Sequence, residues 1–235
     1  MSPMLETGMT PQPLVGPIRI VINRLNVDVS EIATLNEGKL AEFRASGLDL
    51  KGCRVSVPEL QLDDAQYDLI REGSLLIVSQ QVAAAKAEAA FQVLGRSVLV
   101  EDTALWVDAC PLVTGPLIKG WTQAPRDGDQ DGLLQLCMLS AIANNRNATA
   151  ICTLGVSDGK NHVTWSGTVQ GHIAESPRGD HGFGWDKIFI PEPGMQFARF
   201  GNSKLMTWAE MEPDQKLKIF PFRGAAIDEL RKSVQ

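Results

Sequence analysis

The chain is poor in the residues that build soft-metal and covalent chemistry. Its 235 residues contain three histidines, four cysteines and one tyrosine. His162, His172 and His181 form no HxH or HExxH pattern, so a histidine-built metal centre is not expected. Cys53, Cys110, Cys137 and Cys152 form no CxxC pair, which argues against a zinc ribbon. They read as reduced, mostly buried thiols of an intracellular protein. Any bound metal is expected on carboxylates, which suits Mg²⁺. No apolar run approaches the roughly 20 residues of a membrane helix. Residues 1–16 lack the basic stretch and apolar core of a signal peptide. Basic surplus is missing too: the formal net charge is -6 and the sequence pI about 5.1. That balance excludes a general nucleic-acid binder, which must displace phosphate counterions. The expected setting is cytoplasmic, with neither membrane nor nucleic acid as partner.

The remaining composition is that of an ordinary globular chain, 44% hydrophobic and 21% charged, long enough for one large core. Residues 1–17, rich in Pro, Gly, Met and Thr, read as a loose extension, and residues 18–235 as a single domain. Residues 18–22 are a β-branched run. Residues 27–34 alternate apolar and polar, as a half-buried strand does, and a helix is predicted over 39–46 after the break at Asn36-Glu37-Gly38. The Ala-rich stretch 75–94 predicts a long helix ended by Gly95. A short strand is expected over 97–100, a helix over 128–143, and a hairpin from 150–156 and 162–169 around Ser157-Asp158-Gly159-Lys160. A last helix covers 225–232. Strands and helices mix without strict alternation, so the expected class is α/β with a mixed sheet.

Three segments carry candidate chemistry. Thr34-Leu35-Asn36-Glu37-Gly38-Lys39 joins a strand to a helix, where backbone N–H groups face an anion and Lys39 adds charge, though Walker A spacing is absent. Glu101-Asp102-Thr103 follows an apolar strand, and acids at the C-terminal end of a sheet strand lie where α/β folds bind ligands. Adjacent side chains on an extended chain point to opposite faces, so one of the two acids is expected to face a pocket. In His181-Gly182-Phe183-Gly184-Trp185-Asp186, glycines flank aromatics that can stack on a flat ligand beside a carboxylate. Lys86, between small alanines, Lys119, Lys216, Lys218 and Arg223 complete the basic set. Arg178-Gly179-Asp180 and Asn147-Ala148-Thr149 spell an adhesion tripeptide and a glycosylation sequon, motifs that need an extracellular context.

Taken in order, these pieces resemble the inosine triphosphate pyrophosphatase family. The resemblance runs from about residue 32 to the C-terminus. It adds Pro58-Glu59-Leu60, Gly115-Pro116-Leu117-Ile118-Lys119, Thr207-Trp208-Ala209-Glu210-Met211 and Phe222-Arg223-Gly224 to the segments above. It implies an elongated mixed β-sheet flanked by helices, two lobes with a nucleotide cleft between them, and a homodimer. The implied reaction is Mg²⁺-dependent hydrolysis of ITP, dITP or XTP to the monophosphate and pyrophosphate. By resemblance, Thr34, Asn36 and Lys39 line the triphosphate, with Thr103 beside them. Glu59 and Asp102 hold metal or activate water, and Lys86, Lys119 and Lys216 reach phosphates. Phe183, Trp185 and Asp186 form the base pocket, and Arg223 addresses the oxygen at purine C6. Two departures stand out: Pro221-Phe222 replaces the family's Ser-His, and Lys216-Leu217 replaces a Lys-Asn pair, which leaves Lys218 in reserve. Two other functions fit the same pieces: a Maf-like pyrophosphatase for pyrimidine or modified nucleotides, and a non-catalytic nucleotide-binding protein.

Overall fold

The computed structural model describes residues 12–22, 24–55, 61–123, 131–192, 205–212 and 222–235. The short N-terminal strands are β1 (Leu14–Val15), β2 (Ile18–Ile22), β3 (Leu25–Val29) and β4 (Glu31–Ile32), followed by helix α1 (Glu37–Ala45). Next come β5 (Leu48–Asp49), β6 (Lys51–Gly52), α2 (Asp64–Arg71) and α3 (Leu75–Leu94). Then follow β7 (Val100–Val107), α4 (Ile118–Gln123), α5 (Gly132–Ile142), β8 (Asn147–Ser157), β9 (His162–Ile173) and β10 (Phe189–Pro191). Helix α6 (Phe222–Arg231) ends the series. The central sheet is antiparallel with strand order β10-β9-β8-β7, while β1–β5 and β4–β6 pair in parallel. A parallel bridge from Ile32 to Leu99 joins the β4–β6 pair to the chain entering β7, so the expected mixture of strand directions is present.

Helix α3 follows the Ala-rich prediction residue for residue and ends at Gly95 in the left-handed conformation. Its buried stripe includes Val78, Val82, Ala83, Ala87 and Ala90, the spacing of one helical face. Small side chains let it lie close on the sheet: a Cβ on Gly155 of β8 would sit 3.0 Å from the Ala83 carbonyl oxygen. Helix α6 covers the opposite face, where the Phe222 carbonyl comes within 2.0 Å of where a Gly167 Cβ would stand. Along β7 the faces alternate. Ala104 and Trp106 pack with α2 and α3, whereas Leu105 and Val107 join the larger core with Leu99, Phe43 and Ile227. Trp106 is fully buried and its indole N–H donates to Ser79 Oγ at 3.2 Å.

Four expectations need correction. The strand expected over 27–34 is two, because the chain changes partner at Ser30: Val29 pairs with Ile18 of β2, while Glu31 and Ile32 pair with β6. The strand expected over 97–100 runs instead from Val100 to Val107, so Glu101 and Asp102 lie near its N-terminal end. Part of the stretch read as a loose extension is tied down: Leu14–Val15 pair with Leu48–Asp49, and Arg231 donates to the Gln12 carbonyl. Helix α5 starts at Gly132, capped by Asp131, whose carboxylate accepts from the N–H groups of Leu133 and Leu134. Residues 128–130 of the span predicted there lie outside the described residues.

The cysteines are free thiols. Cys137 and Cys152 are buried, and Cys53 and Cys110 are half-buried. Burial pushes the Cys137 thiol up to about 11 and raises Cys152 further, with the Glu101 carboxylate adding to the effect. In a thiol-reagent titration at pH 8, Cys137 and Cys152 are expected to stay unmodified until denaturant unfolds the chain.

Candidate active site

Strand β7 is the edge of the central sheet, and the site is built around that edge. Glu101 and Thr103 point to the α6 face, Asp102 to the α3 face. A cavity of about 370 Å³ reaches around the edge and is lined by both acids. The alternation argument therefore holds for direction and fails for function: both acids line the pocket, because an edge strand exposes both faces to one cavity. Glu101, the acid to which the resemblance gives no role, has the better buried side chain of the two, 2% exposed against 5% for Asp102.

Each acid meets a cation delivered by a different helix. Asn36 caps α1, its Oδ1 accepting from the Lys39 N–H at 3.0 Å, and one turn in, Lys39 Nζ lies 2.5 Å from Glu101 Oε2. Lys86 stands on α3 beside the alanine stripe, one turn from Val82 and one from Ala90, and pairs with Asp102 Oδ1. From α6, Arg223 Nη1 pairs with Glu42, and Nη2 lies 3.3 Å from Glu101 Oε1 and 3.4 Å from Thr103 Oγ1. The Thr103 hydroxyl also donates to Glu101. Burial works to raise the Glu101 carboxyl, but Lys39 and Arg223 outweigh it and hold it below the usual carboxylate range. Arg223 answers in kind: burial opposes its charge, and Glu101 and Glu42 hold it protonated all the more firmly.

The opposite wall comes from the glycine-rich turn. Phe183, Gly184, Trp185 and Asp186 all line the cavity, joined by Pro116, Ile118, Lys119 and Thr122 of the α4 region. Asp186 Oδ2 accepts from the Phe183 N–H at 3.0 Å and closes the turn. It needs glycine at 182, where φ is +74° and a Cβ would stand 2.1 Å from that same oxygen. Trp185 is 7% exposed and packs edge-on against Phe189.

Of the residues singled out in the sequence, Asn36, Lys39, Lys86, Asp102, Thr103, Lys119, Phe183, Trp185, Asp186 and Arg223 meet at this cavity. Thr34 does not line it; its Oγ1 accepts from the Asn36 N–H at 3.2 Å and shapes the turn before α1. Glu59, Lys216 and Lys218 lie outside the described residues. Sequence reasoning missed Glu42 and the inward role of Glu101. Glu42 sits three residues after Lys39, on the same helical face, a spacing that could have found it. Among the described lining residues, four cations face three carboxylates. Glu42, paired with Arg223 just behind the lining, brings the described charges of the site into balance, so basic residues are concentrated here in a chain of net charge -6.

No group of three or more metal-ligating side chains occurs among the described residues. Asp102 Oδ2 is nonetheless buried without a hydrogen-bond partner among them. A hard, anionic oxygen left unpaired in a cavity fits a divalent cation such as Mg²⁺. Asp102 is thus a fitting ligand, with Glu59 the second candidate from the sequence.

The sequence profile of the Ham1 family matches residues 31–233. This chain belongs to the Ham1 family. It is 34% identical over 199 residues to a dITP/XTP pyrophosphatase of Hyperthermus butylicus, covering 85% of this chain and 90% of that one. An inosine triphosphate pyrophosphatase of Phaeosphaeria nodorum is 31% identical over 202 residues, 85% of this chain and 90% of the relative. Among solved structures, a HAM1 protein from Coxiella burnetii superposes with a TM-score of 0.61 at 23% identity, over 86% of this chain and 95% of that chain. A nucleoside-triphosphatase/dITP/XTP pyrophosphatase from Mycobacterium abscessus gives 0.58 at 25% identity, over 85% and 97%. The α/β fold expected from the sequence is the fold of these Ham1 structures.

Removing one member of the buried ionic cluster leaves charges that water cannot reach. Arg223→Met removes the guanidinium that Glu42 and Glu101 share, and is expected to cost about 3–5 kcal/mol of stability in urea unfolding. Exposed pairs such as Arg71–Asp68, with both side chains more than half exposed, should contribute under about 1 kcal/mol in the same assay.

Proposed function

We propose that this protein hydrolyses non-standard purine nucleoside triphosphates, ITP, dITP and XTP, to the monophosphate and pyrophosphate. The observation that carries the reading is a buried carboxylate, Asp102, with one oxygen unpartnered, in a cavity that also holds Lys39, Lys86 and Lys119. The names of its relatives, dITP/XTP and inosine triphosphate pyrophosphatases, support the substrate class.

The chemistry needs positioning and charge stabilisation more than a covalent intermediate. Lys39, Lys86 and Lys119 supply point charges for phosphate oxygens, and Lys216 would add a fourth. A phosphate that draws Lys86 toward itself takes a counter-charge from Asp102, leaving that carboxylate to hold a water or accept its proton. Asp102, with Glu59, would hold Mg²⁺, which when bound supplies charge neutralisation on the phosphates. Phe183 and Trp185 offer faces to a base. Arg223 already gives its Nη groups to Glu42, Glu101 and Thr103; the donor without a hydrogen-bond partner among the described residues is Nε. A donor aimed at purine C6 favours the carbonyl of hypoxanthine or xanthine over the amino group of adenine. Guanine shares that carbonyl, so its rejection falls to the 2-position.

A second reading follows from Phe222. It is buried in the aromatic stack and offers no hydrogen bond to a base, so a pyrimidine or modified nucleotide is the alternative substrate. The same family reading carries a homodimer, a cytoplasmic location and a single domain over residues 18–235. Among the described residues, no helix is long and apolar enough to cross a membrane.

Pyrophosphate release should be greatest from ITP, XTP and dITP in a panel with GTP, ATP, UTP and dTTP, and should stop on chelation with EDTA. Release from UTP or dTTP above the purines selects the second reading, and binding without release selects a non-catalytic protein. Asp102→Asn is expected to lose at least about 100-fold in kcat with the fold intact by circular dichroism.

A further inference from the structure

The turn that carries Phe183, Trp185 and Asp186 does not hold its shape alone. Its base is closed by the Arg178 N–H donating to the Lys187 carbonyl at 2.9 Å. From there it is strapped to residues 205–211, which line no part of the cavity. Arg178 Nη2 donates to the Leu205 carbonyl at 3.0 Å, and Nε lies 3.2 Å from Glu210 Oε2. The Thr207 hydroxyl returns a hydrogen bond to the Arg178 carbonyl at 3.0 Å, and the His181 N–H donates to Ala209 at 2.9 Å. The same Glu210 oxygen accepts from the Thr207 N–H at 2.9 Å. The strap is drawn tight at Gly179, where φ is +87° and a Cβ would fall 2.2 Å from the Ala209 carbonyl.

Between Thr207 and Glu210 stands Trp208, fully buried. Its ring lies 5.4 Å from Trp185 and 4.8 Å from Phe222, stacked at 26° on the latter, and those two rings are 6.5 Å apart, so the three form a triangle with Trp208 as the fully buried corner. Phe222 in turn lies 4.8 Å beneath the Arg223 guanidinium. One buried indole therefore supports two parts of the cavity wall at once, the turn at 183–186 and the start of α6. Packed interiors transmit such displacements because they hold no spare volume.

We propose that Arg178 and Glu210 are positioning residues for nucleotide binding: they clamp Trp208, and through it fix the Trp185 and Arg223 walls of the cavity. The inference rests on the nucleotide reading above and names the device that holds that site in register. It also gives the arginine of Arg178-Gly179-Asp180 a use within the chain, since its guanidinium is engaged by Leu205 and Glu210.

Three variants test it: Arg178→Met, Arg178→Lys and Glu210→Gln. Arg178→Met is expected to raise KM for ITP by about tenfold with kcat changed less than about twofold, since Lys39, Lys86 and Asp102 stay in place. Lysine reaches one of the two partners but cannot fork to both, so Arg178→Lys should recover part of the KM, and Glu210→Gln should fall between. Near-UV circular dichroism should change in all three, because the tryptophans move together; a simple loss of stability lowers Tm and leaves that spectrum intact. An unchanged KM, an equal fall in kcat, or an unchanged near-UV spectrum in folded variants overturns the proposal. If Arg178→Met does not fold, Arg178→Lys and Glu210→Gln decide by the same criteria. Wild-type protein that releases no pyrophosphate from any triphosphate sinks the nucleotide reading instead, and the near-UV comparison then still tests the clamp.

Discussion

Two adjacent acids in a buried edge strand are the constraint around which this molecule is arranged. Ionised carboxylates out of water are costly unless each is matched by a cation or a hydrogen bond. Glu101 and Asp102 point to opposite faces, so no single element can serve both. Helix α1 brings Lys39 and α6 brings Arg223 to Glu101, and α3 brings Lys86 to Asp102. Three helices far apart in sequence are thereby drawn to one point of β7. The compensation is uneven: Lys39, Thr103, Arg223 and the Cys152 thiol all donate to Glu101, while Asp102 keeps one oxygen unpartnered among the described residues. One acid reads as scaffold and its neighbour as the group left available for chemistry.

The second organising element is the aromatic cluster of Trp185, Phe189, Trp208 and Phe222. It joins the glycine-rich turn to α6, and hence one wall of the cavity to the ionic cluster at Arg223. Arg223 belongs to both systems: its guanidinium lies over Phe222 and between Glu42 and Glu101. Under the proposed function, the four cations that line the cavity are the groups that would meet a polyanion, and carboxylates hold three of them in place until then.

Much of this was legible in the residues. The helix over 75–94 and the hairpin of β8 and β9 follow from periodicity and turn chemistry, which act within a few residues. Local patterns also marked Asn36 and Lys39 at the head of α1 and Phe183, Trp185 and Asp186 in the turn. The errors in the strands are of one kind. Dividing residues 27–34 into β3 and β4, seating Leu14–Val15 beside β5, and lengthening the strand after Leu99 all depend on which distant strand is the partner. Helices α2 and α4 also escaped notice, α4 being too short to show a period.

What the sequence by itself determined is therefore the inventory: few histidines and cysteines and none in HxH, HExxH or CxxC spacing, the basic residues, the paired acids, and the ordered motifs that place the chain in the Ham1 family. What only the tertiary structure decided is who faces whom. Alternation along β7 sends Glu101 and Asp102 to different sides, and sequence cannot tell that β7 is an edge strand, where one cavity reaches both sides. Nor can it show that Glu42 and Glu101 share Arg223 across more than a hundred residues of chain. Side-chain direction is set by local backbone geometry, but the sharing of a buried charge is set by how helices pack.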